Sequence, residues 1–143
     1  MEAFIGTWEY HHELADENEY KFLDEIKMDK KIVETLIASK PQVVIKKAGA
    51  NLHCRMFSKD GKFDEEMTIK LDGTKSDIIL PDSRKAKGTF VLKKGELACE
   101  DMELLDLPGV IVSEILSVKD DVMKDTLAVA AKNLKTVMTY KKI

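Results

Sequence analysis

Two polar side chains interrupt apolar rows near the end of the chain. In residues 110–118, the row of alternate side chains that starts at Val110 is apolar except at Glu114. In the last strand-like run, the row of alternate side chains that starts at Leu134 ends in Tyr140. Alternate side chains of a β-strand project from one face. Burial of an acid without a cationic neighbour favours its protonated form, which can donate a hydrogen bond as a phenol does. These two residues are therefore suited to holding a polar group inside an apolar wall.

The remaining chemistry-bearing residues do not form a catalytic or metal-binding pattern. His11 and His12 are adjacent in a strand-like run and face opposite ways, and the same holds for His53 and Cys54. The chain has no glycine-rich phosphate loop and no Gly-x-Ser-x-Gly elbow. The sequence predicts a protein that is not an enzyme and that needs no metal or cofactor.

Composition indicates one soluble globular domain over residues 1–143, with 44% hydrophobic and 34% charged residues. The net charge of −3 argues against a nucleic-acid partner. No signal-like apolar run follows Met1, and no window approaches the ~18 apolar residues of a membrane span. With two cysteines and no Cys-x-x-Cys pair, a reduced, cytosolic setting is expected.

Arginine is scarce. The chain has twenty-one lysines but only Arg55 and Arg84. Arginine is the usual residue for a two-pronged grip on a carboxylate or phosphate. Any anion site must therefore use lysine, backbone amides or one of these two arginines.

Short alternating runs separated by turn-forming dipeptides predict ten strands, which lie at residues 5–13, 42–47, 51–57, 67–71, 77–80, 86–92, 96–104, 110–118, 123–131 and 134–141. Short turns join antiparallel neighbours, and closing such a meander into a barrel removes its edges. The prediction is an antiparallel, up-and-down β-barrel.

One segment has helical periodicity instead. Apolar residues recur every three to four positions between residues 17 and 39, with an interruption at 28–31 that predicts two short helices. Asp16 and Glu19 resemble a capping box, and Lys40 before Pro41 ends the second helix. A helical pair inserted after the first strand is expected to cover one mouth of the barrel.

This layout resembles the intracellular lipid-binding proteins, the family of fatty-acid-binding and retinoid-binding proteins. Six ordered stretches are similar to its motifs, namely Phe4-Ile5-Gly6-Thr7-Trp8, Lys40-Pro41, Lys70-Leu71, Asp82-Ser83-Arg84-Lys85-Ala86-Lys87, Gly95-Glu96-Leu97 and Thr139-Tyr140-Lys141-Lys142. The chain departs from the family by an insertion of about four residues between Trp8 and Tyr20 and a longer turn near 119–125. The resemblance implies a ten-stranded clam-shaped barrel with a helix-turn-helix lid. It also implies a monomer that carries a long lipophilic ligand, such as a fatty acid, retinoid or neutral lipid, through the cytosol.

The resemblance also implies a head-group site on the last strands, where many fatty-acid binders use two arginines and a tyrosine. The tyrosine corresponds to Tyr140, whereas Met138 and, by alignment, Glu114 occupy the arginine positions. An acid and a thioether in place of two cations disfavour a fatty carboxylate. We expect a neutral or weakly basic head group. The alternative is that Glu114 points outward on an irregular strand.

Further positions match the family's ligand contacts. Asp82 and Arg84 correspond to a pair near the cavity that contacts ligand through water, although an ion pair that only stabilises a turn explains them equally well. Phe63 resembles the family's portal phenylalanine, and Tyr20 and Leu23 lie on the underside of the lid, where ordinary core packing is the alternative.

A second class of function uses the same fold. The protein is then an interaction protein whose cavity is filled by side chains and whose partner binds the outer surface. Small residues predicted to face inward, Ala128, Ala130 and Thr136, favour the open cavity of a carrier. Lysines on the lid would allow transient contact with anionic membranes, but acids alternate with them and indicate a solvated face.

Overall fold

Alternation of apolar and polar residues produces strands over most of the chain. The computed structural model describes residues 1–11 and 17–143. Its strands are β1 Gly6–Tyr10, β2 Gln42–Ala48, β3 Asn51–Phe57, β4 Asp64–Ile69, β5 Ser76–Ile79, β6 Lys85–Gly88, β7 Phe90–Lys93, β8 Glu96–Leu104, β9 Ile111–Lys119, β10 Val122–Val129 and β11 Leu134–Lys142. The helices are α1 Glu17–Glu25 and α2 Lys30–Ser39.

All strand pairs are antiparallel and the sheet is nearly closed. Neighbouring strands follow the order β4-β3-β2-β1-β11-β10-β9-β8-β6-β5, with β7 paired to β8. The first and last strands meet with Trp8 opposite Lys142 and Tyr10 opposite Tyr140. Strands β4 and β5 end the order and are not joined by a ladder in the described part of the chain. The prediction of an antiparallel clam-shaped barrel with a helix-turn-helix lid is confirmed.

The segment predicted as one strand at 86–92 is two strands, so the described sheet has eleven strands rather than ten. The backbone N–H of Thr89 donates to Oδ1 of Asp101 at 2.7 Å, at the point where β6 ends and before β7 begins. The register of β8 with β9 also shifts between Cys99 and Met102. Alternation continues unbroken through Thr89, which is why the sequence pattern does not reveal this interruption.

The two helices form as predicted, and their apolar side faces the barrel. Asp29 caps α2 by accepting from the backbone N–H of Lys31 at 2.8 Å, and Lys40 ends it in a left-handed conformation. The predicted cap Asp16 lies outside the described residues, as do the last residues of the first predicted strand. No helix in the described ranges is long and apolar enough to cross a bilayer.

The apolar stripe of α1 is rotated slightly from its predicted position. Phe22 and Leu23 are fully buried, as is Ile26 just beyond the helix end. Tyr20 is only half-buried, and the Lys30 ammonium lies 4.8 Å from the centre of its ring. The lid therefore covers the barrel with Phe22 and Leu23, while Tyr20 lies at its edge.

Gly88 permits the close packing of β6 against β8. A Cβ added at Gly88 would lie 2.5 Å from Sγ of Cys99 and 3.3 Å from Cα of Met102. We expect Gly88→Ala to lower the free energy of unfolding by about 1–3 kcal/mol through overpacking. Urea denaturation of Gly88→Ala, of Cys99→Ala and of the double variant measures this, because the loss from Gly88→Ala should be smaller when Sγ is already absent. Additive losses would contradict the steric cause.

Candidate functional site

The barrel encloses two adjoining apolar cavities. The larger, about 120 Å³, lies within the strands and is called the barrel cavity; the smaller, about 50 Å³, lies beneath the helices and is called the lid cavity. Both are bordered by the same five residues, which are Met56, Leu80, Pro81, Leu127 and Met138. Since several of these side chains are flexible, movement at this border would join the two volumes.

Two carboxyl groups project into the barrel cavity from adjacent strands. Glu114 on β9 lies opposite Leu127, and Asp125 on β10 lies opposite Leu116. The two acids are therefore diagonal neighbours on one face of the sheet, a relation that places side chains about 7–8 Å apart or closer. Both are enclosed by the barrel and line the cavity, so the accessible area they retain faces the cavity. We call them the carboxyl pair.

Burial controls the protonation of the carboxyl pair. It raises the pKa of Glu114 to about 7. It also raises the pKa of Asp125 well above its ordinary value, and the charge of Glu114 raises it further. Oδ1 of Asp125 is buried and has no hydrogen-bond partner. Near neutral pH the pair holds at least one proton, and it presents an unsatisfied acceptor.

Two tyrosines lie beside the carboxyl pair. Tyr140 on β11 is opposite Met123 of β10 and next to Tyr10 of β1, with ring centroids 5.2 Å apart. Burial, and then the charge of Asp125, raises the pKa of both hydroxyl groups. Both therefore remain protonated and can donate hydrogen bonds.

The barrel cavity has an acidic wall. Three carboxyl side chains face it, those of Glu65, Glu114 and Asp125, and its described lining contains no lysine, arginine or histidine. Glu66 also borders the cavity, but its side chain is 61% exposed and its Oε2 lies 3.6 Å from Nε2 of His53. The hydroxyl of Ser83 donates to Oε1 of Glu65 at 3.0 Å across the gap between β4 and the turn after β5. Acidic groups thus occur both deep in the barrel and near the gap, which makes the interior unfavourable for an anion.

The structure brings together most of the residues singled out in the sequence. Glu114, Met138, Tyr140 and Phe63 line the barrel cavity. Thr136, Leu23 and Met138 line the lid cavity. Asp82, Arg84 and Tyr20 do not occur among the described residues that line either of them, and Asp82 borders an outer groove beside α2.

Arg84 makes a tight ion pair at the turn between β5 and β6. Its Nε donates to Oδ2 of Asp82 at 2.6 Å, and its Nη1 lies 3.8 Å from a carboxylate oxygen of Asp106. The side chains of Arg84 and Asp82 are only 19% and 7% exposed. This geometry is that of an ion pair that stabilises the turn, and Nη2 of Arg84 is buried without a hydrogen-bond partner among the described residues.

We expect Arg84→Gln to lower the free energy of unfolding by about 3 kcal/mol, because it leaves the largely buried Asp82 without its cation. Arg55→Gln is the matched control and should change stability much less, since the Arg55–Asp64 pair is nearly half exposed and exposed ion pairs contribute little. Urea denaturation measures both. Equal effects, or loss of lipophile binding in a folded Arg84→Gln variant, would contradict the structural role.

Asp125 was not predicted from the sequence, because the other face of β10 was expected to lie inside. Ala128 was predicted to face inward, but its neighbours across the sheet are Ser113 and Lys135, which lie on the outside. Ala130, also predicted inward, lies in the turn after β10 and is exposed. The inward row is that of Met123, Asp125 and Leu127. Asp125 is the polar exception in this row, the same signal that identified Glu114.

Solved structures with the same architecture identify the fold. The chain aligns over 100% of its length with fatty-acid-binding protein 1 of Echinococcus granulosus, covering 99% of that chain at 24% identity and a TM-score of 0.78. The fold is that of the fatty-acid-binding proteins. A fatty acid binding protein of Schistosoma mansoni in complex with arachidonic acid aligns at 19% identity over 100% of this chain and 98% of that one, with a TM-score of 0.79.

A third solved structure with this fold is that of a nematode protein. Apo lipid binding protein 8 of Caenorhabditis elegans aligns at 19% identity over 100% of this chain and 97% of that one, with a TM-score of 0.78. No protein-family model and no curated protein sequence matches the chain. At these identities the comparisons establish the architecture, and the function must be argued from the cavity.

Proposed function

We propose that the protein is a carrier that binds a long lipophilic molecule inside the barrel. The observation that carries this proposal is an enclosed cavity with apolar walls, in which the polar groups of Glu114, Asp125 and Tyr140 gather on one side. Such a cavity binds a molecule with an apolar body and one polar end. The fatty-acid-binding fold supports the proposal, and we propose that carriage takes place in the cytosol by a monomer.

The carboxyl pair determines the class of head group. An incoming carboxylate would meet two acids and no cation in the described lining. An alcohol or amide would instead use the unsatisfied oxygen of Asp125 and the hydroxyl of Tyr140. The head-group site therefore favours a neutral or weakly basic ligand over a fatty acid.

The size of the cavity supports a second candidate, an interaction protein with a largely filled interior. A volume of about 120 Å³ is close to the ~150 Å³ of an engineered cavity that binds ligands as small as benzene or xenon. A long-chain ligand therefore requires the barrel and lid cavities to join through movement of border side chains such as Met138 and Met56. If these border side chains do not move, the protein is expected to act by binding a partner on its outer surface.

Displacement of the neutral dye Nile red by hexadecanol distinguishes the two candidates. A carrier should bind the dye and release it to hexadecanol. Leu116→Phe, which fills the barrel cavity, should lower the affinity for both Nile red and hexadecanol by about tenfold or more. Ile115→Phe is the matched control, because Ile115 is the next residue of β9 and is exposed on the outside. No dye binding, or equal effects of the two substitutions, would contradict the carrier.

A further inference from the structure

The acidic wall suggests a narrower class of ligand than the cavity alone does. We propose that Glu114, Asp125 and Tyr140 form a binding site for the ammonium head group of a long-chain amine. The inference rests on the proposed carrier function. It adds that the polar end of the ligand carries a positive charge.

The geometry offers three acceptors for a group with three donors. Glu114 and Asp125 lie diagonally on β9 and β10, and Tyr140 follows on β11 one row away, opposite Met123. All three line the same cavity, and one Asp125 oxygen has no partner. An ammonium group donates three hydrogen bonds. An alcohol donates only one and would leave acceptors of the carboxyl pair unsatisfied.

Charge balance gives a stronger reason than the number of hydrogen bonds for the site to prefer an amine over an alcohol. An ionised member of the carboxyl pair is a buried negative charge, and the described lining supplies no cation to neutralise it. A buried charge without a partner is costly, and a bound ammonium removes that cost. An alcohol leaves the charge in place, and a carboxylate adds a second one. The remainder of the lining is mainly apolar and suits an alkyl chain.

The groups packed around the carboxyl pair are also acids. They are Tyr10 on β1, Cys54 on β3 and Cys99 on β8, with Tyr140 on β11 already in the site. Glu19 on α1 lies near Tyr10. Burial raises the pKa of each thiol to about 12, so neither provides a charge at neutral pH. An ammonium ion would therefore act mainly on the carboxyl pair and favour its ionised form. Amine binding at about pH 6 should release protons.

Three probes with the same alkyl chain test the proposal, namely hexadecylamine, hexadecanol and palmitate. Each is titrated against the protein loaded with Nile red, and hexadecylamine is expected to bind about tenfold or more tightly than hexadecanol, with palmitate weakest. Glu114→Gln/Asp125→Asn should remove the amine preference, so that hexadecylamine and hexadecanol displace the dye from this variant equally well. Glu100→Gln/Glu103→Gln removes the same charge from exposed positions of β8 and should leave the preference unchanged.

Calorimetry at about pH 6 in two buffers of different ionisation enthalpy should also show proton release with hexadecylamine and none with hexadecanol. Equal affinities for amine and alcohol, or an amine preference that survives the double amide substitution, would overturn this inference while leaving the carrier intact. Failure of all three probes to displace the dye would overturn both proposals.

Discussion

Raising the pH from about 4.5 to about 7 is expected to lower the free energy of unfolding by about 3 kcal/mol through Glu114 alone. Burial raises the pKa of this carboxyl group in the folded protein from 4.5 to about 7. Below that window both states hold the proton and the group has no effect. As the pH rises, the unfolded chain ionises first, so stability is lost through the window. Asp125 changes stability in the same direction, because its pKa is also raised.

Urea denaturation at several pH values measures this effect. Glu114→Gln/Asp125→Asn should flatten the profile and be more stable than the original protein at pH values above about 7. Exposed acids such as Asp60, Asp64 and Asp72 have lowered pKa values and act in the opposite direction, but their effects cancel in the difference between the two proteins. Parallel profiles would show that the carboxyl pair is solvated and would remove the physical basis of head-group selection.

The double variant Met138→Arg/Asp125→Asn is expected to bind palmitate about a hundredfold more tightly than the original protein. Met138 lies directly opposite Asp125 and two residues before Tyr140, on the wall of the barrel cavity. A guanidinium group at this position would donate paired hydrogen bonds to a fatty carboxylate. Replacement of Asp125 would remove the acid that lies directly opposite position 138 and could form an internal ion pair with the guanidinium group. Hydrogen bonds to charged groups contribute enough to account for this change.

Met138→Leu/Asp125→Asn is the matched control, because it removes the same acid without adding a cation. It should gain much less affinity for palmitate, as measured by Nile red displacement. The arginine variant should also lose affinity for hexadecylamine. If the two variants bind palmitate equally, the cation at position 138 does not face the ligand and the inferred head-group site is misplaced.

Strand alternation was sufficient to predict the antiparallel barrel. The first and last strands pair as a closed meander requires, with Tyr10 opposite Tyr140. Helical periodicity also identified α1 and α2, although Phe22 rather than Tyr20 is buried beneath the lid. These features are predictable because burial repeats with the period of each element.

The composition of the site was only partly predictable. On β9 one row is clearly more apolar than the other, so Glu114 was recognised as a polar exception in an inward row. On β10 the row of Met123 and Leu127 includes Asp125, and the row of Val122 and Ala128 includes Lys124 and Thr126, so both rows mix apolar and polar residues. Alternation alone does not choose between such rows. Only the pairing of β10 with its neighbours shows that Asp125 lies inside.

Mass spectrometry of the lipid held by the protein tests the acidic cavity most directly. The purified protein is incubated with a total lipid extract, separated from free lipid and analysed intact and after extraction. The expected result is about one lipophile per chain, lacking a carboxylate and recovered in lower yield from Glu114→Gln/Asp125→Asn. Stoichiometric recovery of fatty acid, or a chain that emerges empty, would contradict the account.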